Sequence, residues 1–126
     1  MPLPHPHLIV LRSAATVVLS CLIAQAGWAA AMLGDDPGYR WNHRVGAWVT
    51  LVICLLSALV YLVLRRSAGP VNVTMALLLA AGVAVQFFLG ATDREAVHIF
   101  LGVLLAMLGT ALTSWTYRHS LPVAAG

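Results

Sequence analysis

Two histidines stand at the start of long apolar segments, and each is followed by a glycine. His43 precedes Gly46, with Arg44 between them, and His98 precedes Gly102. Imidazole nitrogen is a common ligand for transition metals. Because ionisable side chains are costly in a membrane, one at the mouth of an apolar helix is a candidate functional residue. The pair therefore predicts a metal or cofactor site held by His43 and His98.

The composition indicates that this site lies in a membrane protein. Of the 126 residues, 61% are hydrophobic and only 9% are charged, whereas soluble domains carry about 25% charged residues. The seven lysine and arginine positions are all arginine, and they stand singly or as one pair between apolar segments. Their excess therefore reflects membrane topology, and we expect contact with the lipid bilayer and no nucleic-acid binding.

Four apolar segments are each long enough to cross a hydrocarbon core of about 30 Å as a helix. They cover residues 13–33, 45–64, 71–91 and 96–117. Short polar loops join them, which predicts an all-α membrane protein, an antiparallel four-helix transmembrane bundle at residues 13–119. Asn42, a residue type that favours helix N-caps, marks the predicted start of the second helix. A solvated N-terminal tail is predicted at residues 1–12 and a C-terminal tail at 120–126.

The arginines predict the orientation of the bundle. One side carries arginines and no acidic residue: Arg12, Arg65, Arg66 and Arg118. The other side carries the remaining three arginines and all four acidic residues. Because loops rich in arginine stay in the cytoplasm, we expect an integral protein of the bacterial cytoplasmic membrane with both termini in the cytoplasm.

This topology gives the two histidines a common depth. The second and fourth helices run in the same direction, and His43 and His98 both lie near their outer ends. If these helices face each other, two imidazoles approach one metal ion from opposite sides, as an axial bis-histidine haem requires. Gly46 and Gly102 share a helix face with the histidines and leave room for a flat porphyrin. A b-type haem is the cofactor that this pattern predicts.

Other interpretations of the same residues stay open. Small residues spaced by four are the usual contact between membrane helices, so the glycines also fit plain packing. A histidine at a helix entrance also fits an interfacial residue without a ligand. Two imidazoles with no third nearby ligand favour haem over zinc, although Asp93 or Glu95 would provide a carboxylate. Arg44, next to His43, is suited to pair with a haem propionate.

A faint internal repeat also predicts that the bundle contains two similar helix hairpins. Gln25 and Gln86 each lie in the outer half of an odd helix, and a glycine follows each, Gly27 and Gly90. A short loop and then a histidine helix come next in both cases. Two such hairpins in one orientation would be related by an axis along the membrane normal. The repeat would itself place the two histidines opposite each other.

The pattern resembles one four-helix half of the haem A synthase family. The resemblance covers roughly Cys21 to Tyr117. The matching pieces are Gln25-Ala26-Gly27, Asn42-His43-Arg44, Gln86-Phe87-Phe88-Leu89-Gly90 and Ala96-Val97-His98. In that family each half carries such a histidine pair, and the pairs ligate haem, which implies this role for His43 and His98.

The chain also departs from the family. Members usually have eight helices, and many bacterial ones carry a cysteine pair in the first outer loop, where this chain has none. The catalytic half tends to place a glutamate three residues before the first histidine, but Arg40 stands there. That carboxylate is thought to serve oxidation of a haem methyl group, so its absence argues against full synthase activity. Asp35 or Asp36 would have to replace it.

Three functions therefore remain open. The first is a haem-binding protein for electron transfer, sensing or haem handling, with a respiratory-chain partner. The second is an oxidoreductase that oxidises haem O, acting as a homo-oligomer and using an external electron acceptor. The third is a haem-free assembly subunit whose histidines are interfacial. Haem content separates the third from the other two, and conversion of haem O to haem A separates the second from the first.

Overall fold

The computed structural model describes residues 4–34 and 36–121, and every element within them is an α-helix. The helices are α1 (Pro6–Gly34), α2 (Tyr39–Val63), α3 (Arg65–Ala68), α4 (Pro70–Leu89) and α5 (Glu95–Arg118). Met1 to Leu3 of the predicted N-terminal tail, residues 122–126 of the C-terminal tail and Asp35 lie outside the described residues.

Four of these helices, α1, α2, α4 and α5, are long and apolar enough to cross a membrane. Their outward faces are covered by large apolar side chains, among them Ile23, Leu59, Leu78 and Met107, which are 55–64% exposed. Such a surface suits hydrocarbon rather than water, because soluble proteins rarely expose continuous apolar area. The expected integral membrane protein is therefore confirmed.

The four long helices form a closed ring. Helix α1 packs against α2 and α5, and α4 packs against the same two helices. Helices α2 and α5 consequently lie diagonally across the bundle, as do α1 and α4. Short connections reverse the chain between successive long helices, so the predicted antiparallel four-helix bundle is confirmed.

The core combines leucines with small side chains. Leu11, Leu79 and Leu112 are at most 2% exposed, and the inward face of α2 contributes Thr50, Cys54, Ser57 and Ala58. Small residues let the helix backbones approach closely, which is the main source of packing energy where lipid replaces water. Cys54 is 2% exposed and Cys21 is half-buried, and both are free thiols.

A buried polar layer joins the four long helices at the end where the chain termini lie. The Tyr61 hydroxyl of α2 lies 2.7 Å from Thr116 Oγ1 of α5 and donates to the Leu11 carbonyl of α1 at 3.2 Å. Thr116 in turn donates to Asn72 Oδ1 of α4 at 3.4 Å. Asn72 Nδ2 donates to the Ala68 carbonyl at 2.9 Å. These contacts satisfy polar groups that would otherwise be orphaned in an apolar interior.

The connection between α2 and α4 requires a glycine. Gly69 has φ 79°, a value that side chains with a Cβ rarely adopt, and Pro70 then occupies the first turn of α4, where its missing N–H costs nothing. The His119 ring lies against Gly69, and its Nε2 is 2.9 Å from the Ser67 carbonyl. The C-terminal end of α5 is thereby attached to the short helix α3.

The structure corrects several predicted helix limits. Helix α1 begins at Pro6, not at residue 13, because Leu8 and Leu11 pack into the bundle and extend the helix through most of the predicted tail. Helix α2 begins at Tyr39, one turn before the predicted start near Asn42, and Gly38 stands at the N-cap position without a side-chain hydrogen bond. The short helix α3 was not predicted. Hydropathy marks the membrane-crossing part of a helix but not its polar ends.

We predict that Tyr61→Phe lowers the free energy of unfolding in detergent by about 1 kcal/mol, because the variant removes both hydrogen bonds of the buried hydroxyl. Tyr39→Phe is the matched control, since Tyr39 is 40% exposed. Unfolding with sodium dodecyl sulfate in mixed micelles, followed by circular dichroism, measures both variants. Equal stability of the two variants would contradict a structural role for the Tyr61 layer.

Candidate functional site

The two predicted histidines face each other across the bundle. His43 lies in the second turn of α2 and His98 in the first turn of α5, so the diagonal placement of these helices aims both rings at the bundle axis. Their ring centroids are 6.2 Å apart, and the ring planes meet at 88°. Both side chains are half-buried. The structure therefore brings together the residues that the sequence paired.

The ring separation suits a single shared metal ion. Bonds of about 2.0–2.1 Å between metal and imidazole nitrogen, with a ring radius of about 1.2 Å, place two opposed imidazole centroids about 6.4 Å apart. The observed 6.2 Å is close to this distance. Two histidine ligands are typical of haem, whereas a zinc ion usually takes three or four protein ligands.

Gln86 of α4 fixes the position of His98. Its side-chain Nε2 donates to the His98 carbonyl at 2.8 Å, and its own backbone carbonyl lies 3.1 Å from His98 Nδ1. When Nδ1–H donates to this carbonyl, the lone pair is on Nε2 and is free to bind a metal. Metal-bound histidines commonly have such a second hydrogen bond.

Gln25 of α1 makes the corresponding contact with His43. Its Nε2 donates to the His43 carbonyl at 3.2 Å, and the Gln25 backbone lies near the His43 ring. His43 Nδ1, however, is buried without a hydrogen-bond partner. In each hairpin a glutamine of the first long helix thus donates a hydrogen bond to the backbone carbonyl of the histidine, as the internal repeat predicts. The bond is longer in the first hairpin, 3.2 Å against 2.8 Å.

The two glycines allow this close approach. A Cβ on Gly46 would lie 2.7 Å from Gln25 Oε1 and would overlap the Trp28 ring. A Cβ on Gly102 would lie 3.0 Å from Gln86 Nε2. The space predicted for a porphyrin is therefore filled by the Trp28 ring and by the side-chain amides of Gln25 and Gln86. A flat cofactor between the histidines requires these side chains to change rotamer.

Three buried polar atoms around the histidines have no hydrogen-bond partner. They are Gln25 Oε1, Gln86 Oε1 and His43 Nδ1. Unpaired polar atoms in an apolar interior are costly, and native proteins keep few of them. Their concentration at one level of the bundle marks a place where an additional group would be stabilised.

The arginines and large aromatic side chains near the histidines lie outside this centre. Arg40, Arg44 and Arg94 are exposed at the same end of the bundle. Trp41, Trp48 and Phe100 are 58–69% exposed, and the Trp48 ring lies 4.5 Å from the Phe87 ring of α4. Only Arg44, next to His43, remains close to the site along the chain.

Sequence reasoning missed Trp28 as a residue of this site and named Gly90 only as part of the internal repeat. Trp28, three residues after Gln25, packs on Gly46, and Gly90 lets the His98 ring approach, since a Cβ there would lie 3.1 Å from His98 Cε1. Leu89 stands at the position of the second hairpin that corresponds to Trp28, so the repeat alone does not point to Trp28.

Among residues 4–34 and 36–121, no three histidine, cysteine or acidic side chains come together as a metal-binding group. Asp93 and Glu95, the carboxylates considered for zinc, are exposed. The donors that the described residues bring together at this site are two imidazoles, which is the protein ligand set of a six-coordinate haem.

Comparison of the chain with protein-family models, with curated proteins and with solved structures gives no match. Support for a function therefore comes from the residues themselves. The decisive features are the facing imidazoles, the buried amide oxygens and the two glycines.

We predict that Gly46→Ala lowers the free energy of unfolding by about 1–3 kcal/mol, because the added methyl group overlaps Trp28 and Gln25. The matched control is Gly27→Ala, whose Cβ meets nothing within 4 Å. That control should stabilise α1 by up to about 1 kcal/mol through helix propensity. Chemical unfolding of both variants tests this; a stable Gly46→Ala protein would show that Trp28 is not held against the glycine.

Proposed function

We propose that this membrane protein binds one b-type haem near the outer face through His43 and His98, and uses it in electron transfer or haem handling. The observation that carries the proposal is the pair of imidazoles facing each other at 6.2 Å across the bundle. When bound, haem supplies one-electron redox chemistry, and the protein supplies ligands, orientation and an apolar surrounding.

The residues present fit this cofactor in their chemistry. His98, with Nδ1 beside the Gln86 carbonyl, is prepared to offer Nε2 as a ligand. His43 offers the second imidazole from the opposite side. Cofactor binding would require the Gln25 and Gln86 side chains to rotate away from Gly46 and Gly102. After that rotation, the unpaired Oε1 atom of each amide could accept a hydrogen bond. Arg44, exposed beside His43, is suited to pair with a propionate at the outer edge.

The arginine distribution favours one orientation. Four arginines, Arg12, Arg65, Arg66 and Arg118, lie at the end that carries the termini, and three, Arg40, Arg44 and Arg94, lie at the histidine end. We place the termini in the cytoplasm of a bacterial membrane by the positive-inside rule. The haem then lies on the outer side, where a respiratory-chain partner exchanges electrons with it.

Two observations favour binding over oxidation of haem O. Arg40 stands at the position where the haem A synthase family tends to have a glutamate. Asp36 is exposed, and its Oδ1 accepts from the Gly38 N–H at 2.8 Å, so this carboxylate is used in the turn before α2.

We predict sharp low-spin b-type bands in the reduced-minus-oxidised absorption spectrum of the purified protein. His43→Ala and His98→Ala should each lose these bands, because either change leaves the iron with one protein ligand. His119→Ala is the control, because His119 directly follows α5 at the end of the bundle opposite to His43 and His98.

A protein that stays colourless after expression with ample haem would contradict the proposal. That result would support the haem-free assembly subunit, in which the histidines have only structural contacts. Full haem content in both histidine variants would contradict the ligand assignment. Formation of haem A from added haem O, identified by extraction, would instead establish the oxidoreductase function.

A further inference from the structure

A cavity of about 350 Å³ lies beside the last turn of α5, at the end of the bundle that carries the chain termini. Its lining residues are Trp115, Arg118, His119 and Ser120. Three of these four side chains are exposed and one is half-buried, so the cavity is open to the surroundings of the bundle. It lies at the opposite end from His43 and His98 and is independent of the histidine site.

The Arg118 guanidinium is held in place at this cavity. Its Nε donates to the Ser114 carbonyl at 3.3 Å, and its Nη2 donates to Ser114 Oγ at 3.0 Å. Its Cζ lies 5.4 Å from the centre of the Trp115 ring, which is a cation–π distance. A guanidinium that is ordered in advance loses little side-chain entropy on binding, and its planar set of N–H donors matches the oxygens of a phosphate group.

The first turn of α4 adds backbone donors next to the cavity. The His119 ring lines the cavity and packs on Gly69, which stands at the N-cap of α4. The first N–H groups of a helix have no intrahelical acceptor, and glycine has no side-chain oxygen to cap them. This helix N-terminus favours a nearby anion and offsets the opposite dipole at the C-terminal end of α5.

The charge at this end of the bundle is positive and unbalanced. Arg12, Arg65, Arg66 and Arg118 lie here. The four acidic residues of the sequence stand at positions 35, 36, 93 and 95, in or next to the two connections at the other end. Among the described residues, no carboxylate therefore neutralises Arg118, and an anion is the ligand that suits this cavity.

The surface next to the cavity selects an anion that carries an apolar tail. Residues 118, 111, 107 and 104 share one face of α5, and Leu104 and Met107 on this face are exposed. Trp115 is 49% exposed in the last turn of the same helix, and tryptophan is enriched at the level of lipid headgroups. A phosphate in the cavity has hydrocarbon-facing surface directly beside it, which suits a phospholipid better than a soluble phosphate or an acidic peptide.

We propose that the cavity at Trp115, Arg118 and His119 binds the headgroup phosphate of an anionic phospholipid from the bilayer leaflet at this end. Arg118 donates to the phosphate oxygens, and an acyl chain lies along the face that carries Met107. A zwitterionic lipid has the same phosphate, but the surrounding arginines repel its ammonium group. The site therefore prefers an anionic lipid, as basic pockets beside membrane helices do.

The first test measures this preference on the full-length protein in detergent. The protein is titrated with phosphatidylglycerol or with phosphatidylcholine of equal chain length, and bound lipids are counted by native mass spectrometry. We expect the first phosphatidylglycerol to bind about fivefold more tightly than the first phosphatidylcholine. Glycerol phosphate, which has the phosphate without the chains, should not displace the bound lipid.

Three variants that each lower the net charge by one locate the site. Arg118→Gln and Ser120→Asp change residues that line the cavity, whereas Arg66→Gln changes an exposed arginine at the same end that does not line it. We expect each of the first two to weaken phosphatidylglycerol binding by about fivefold. Arg66→Gln should stay within about twofold of the parent, because solvent and salt screen exposed charges. All three positions are exposed, so circular dichroism should show the helix content of the parent.

The other outcomes overturn the proposal. Equal weakening in all three variants would show that the arginines act as a diffuse charge and that the cavity is not a site. Equal affinity of the parent for the two lipids would exclude an anionic lipid and leave the basic surface to an acidic protein segment. Displacement of the lipid by glycerol phosphate would indicate a site for a soluble phosphate. None of these results depends on haem, because the cavity and the histidine pair lie at opposite ends of the bundle.

Discussion

The hydroxyl of Tyr61 contacts α1 and α5 at once, and Thr116 carries the connection on to Asn72 of α4. In a bilayer, hydrocarbon gives no hydrophobic drive between helices, and an unpaired polar group has no water to bind. A buried polar layer that is satisfied only when four helices meet therefore holds them together at this end. Within it, Tyr61 and Thr116 join α2 and α5 across the bundle, and the candidate site depends on the same diagonal placement.

The opposite end of the bundle has a second polar layer with a different character. One residue comes from each long helix: Gln25, His43, Gln86 and His98. Here the glutamine amides secure the backbone of the histidine helices, while two amide oxygens and one imidazole nitrogen remain unpaired. The first layer is a closed network suited to stability. The second layer leaves these polar atoms without a partner, which native proteins rarely do in an apolar interior.

The two hairpins differ in the hydrogen bonds that hold their histidines. His98 is held through both the side chain and the backbone of Gln86, whereas His43 keeps an unpartnered Nδ1 and has Trp28 packed on the glycine one turn below it. One imidazole is thus held by more hydrogen bonds than the other.

The membrane class, the four spans and the pair of candidate histidines could be predicted from the sequence, because hydropathy and the rarity of intramembrane ionisable residues are properties of composition and spacing. The paired glutamines and glycines were also visible as a repeat. The fold was needed to show that α2 and α5 lie diagonally, that α1 extends back to Pro6, and that Trp28 fills the space beside Gly46. These features depend on contacts between residues far apart in the chain, where the shape of one side chain selects the position of another. Such contacts cannot be predicted from the spacing of residues along a single helix.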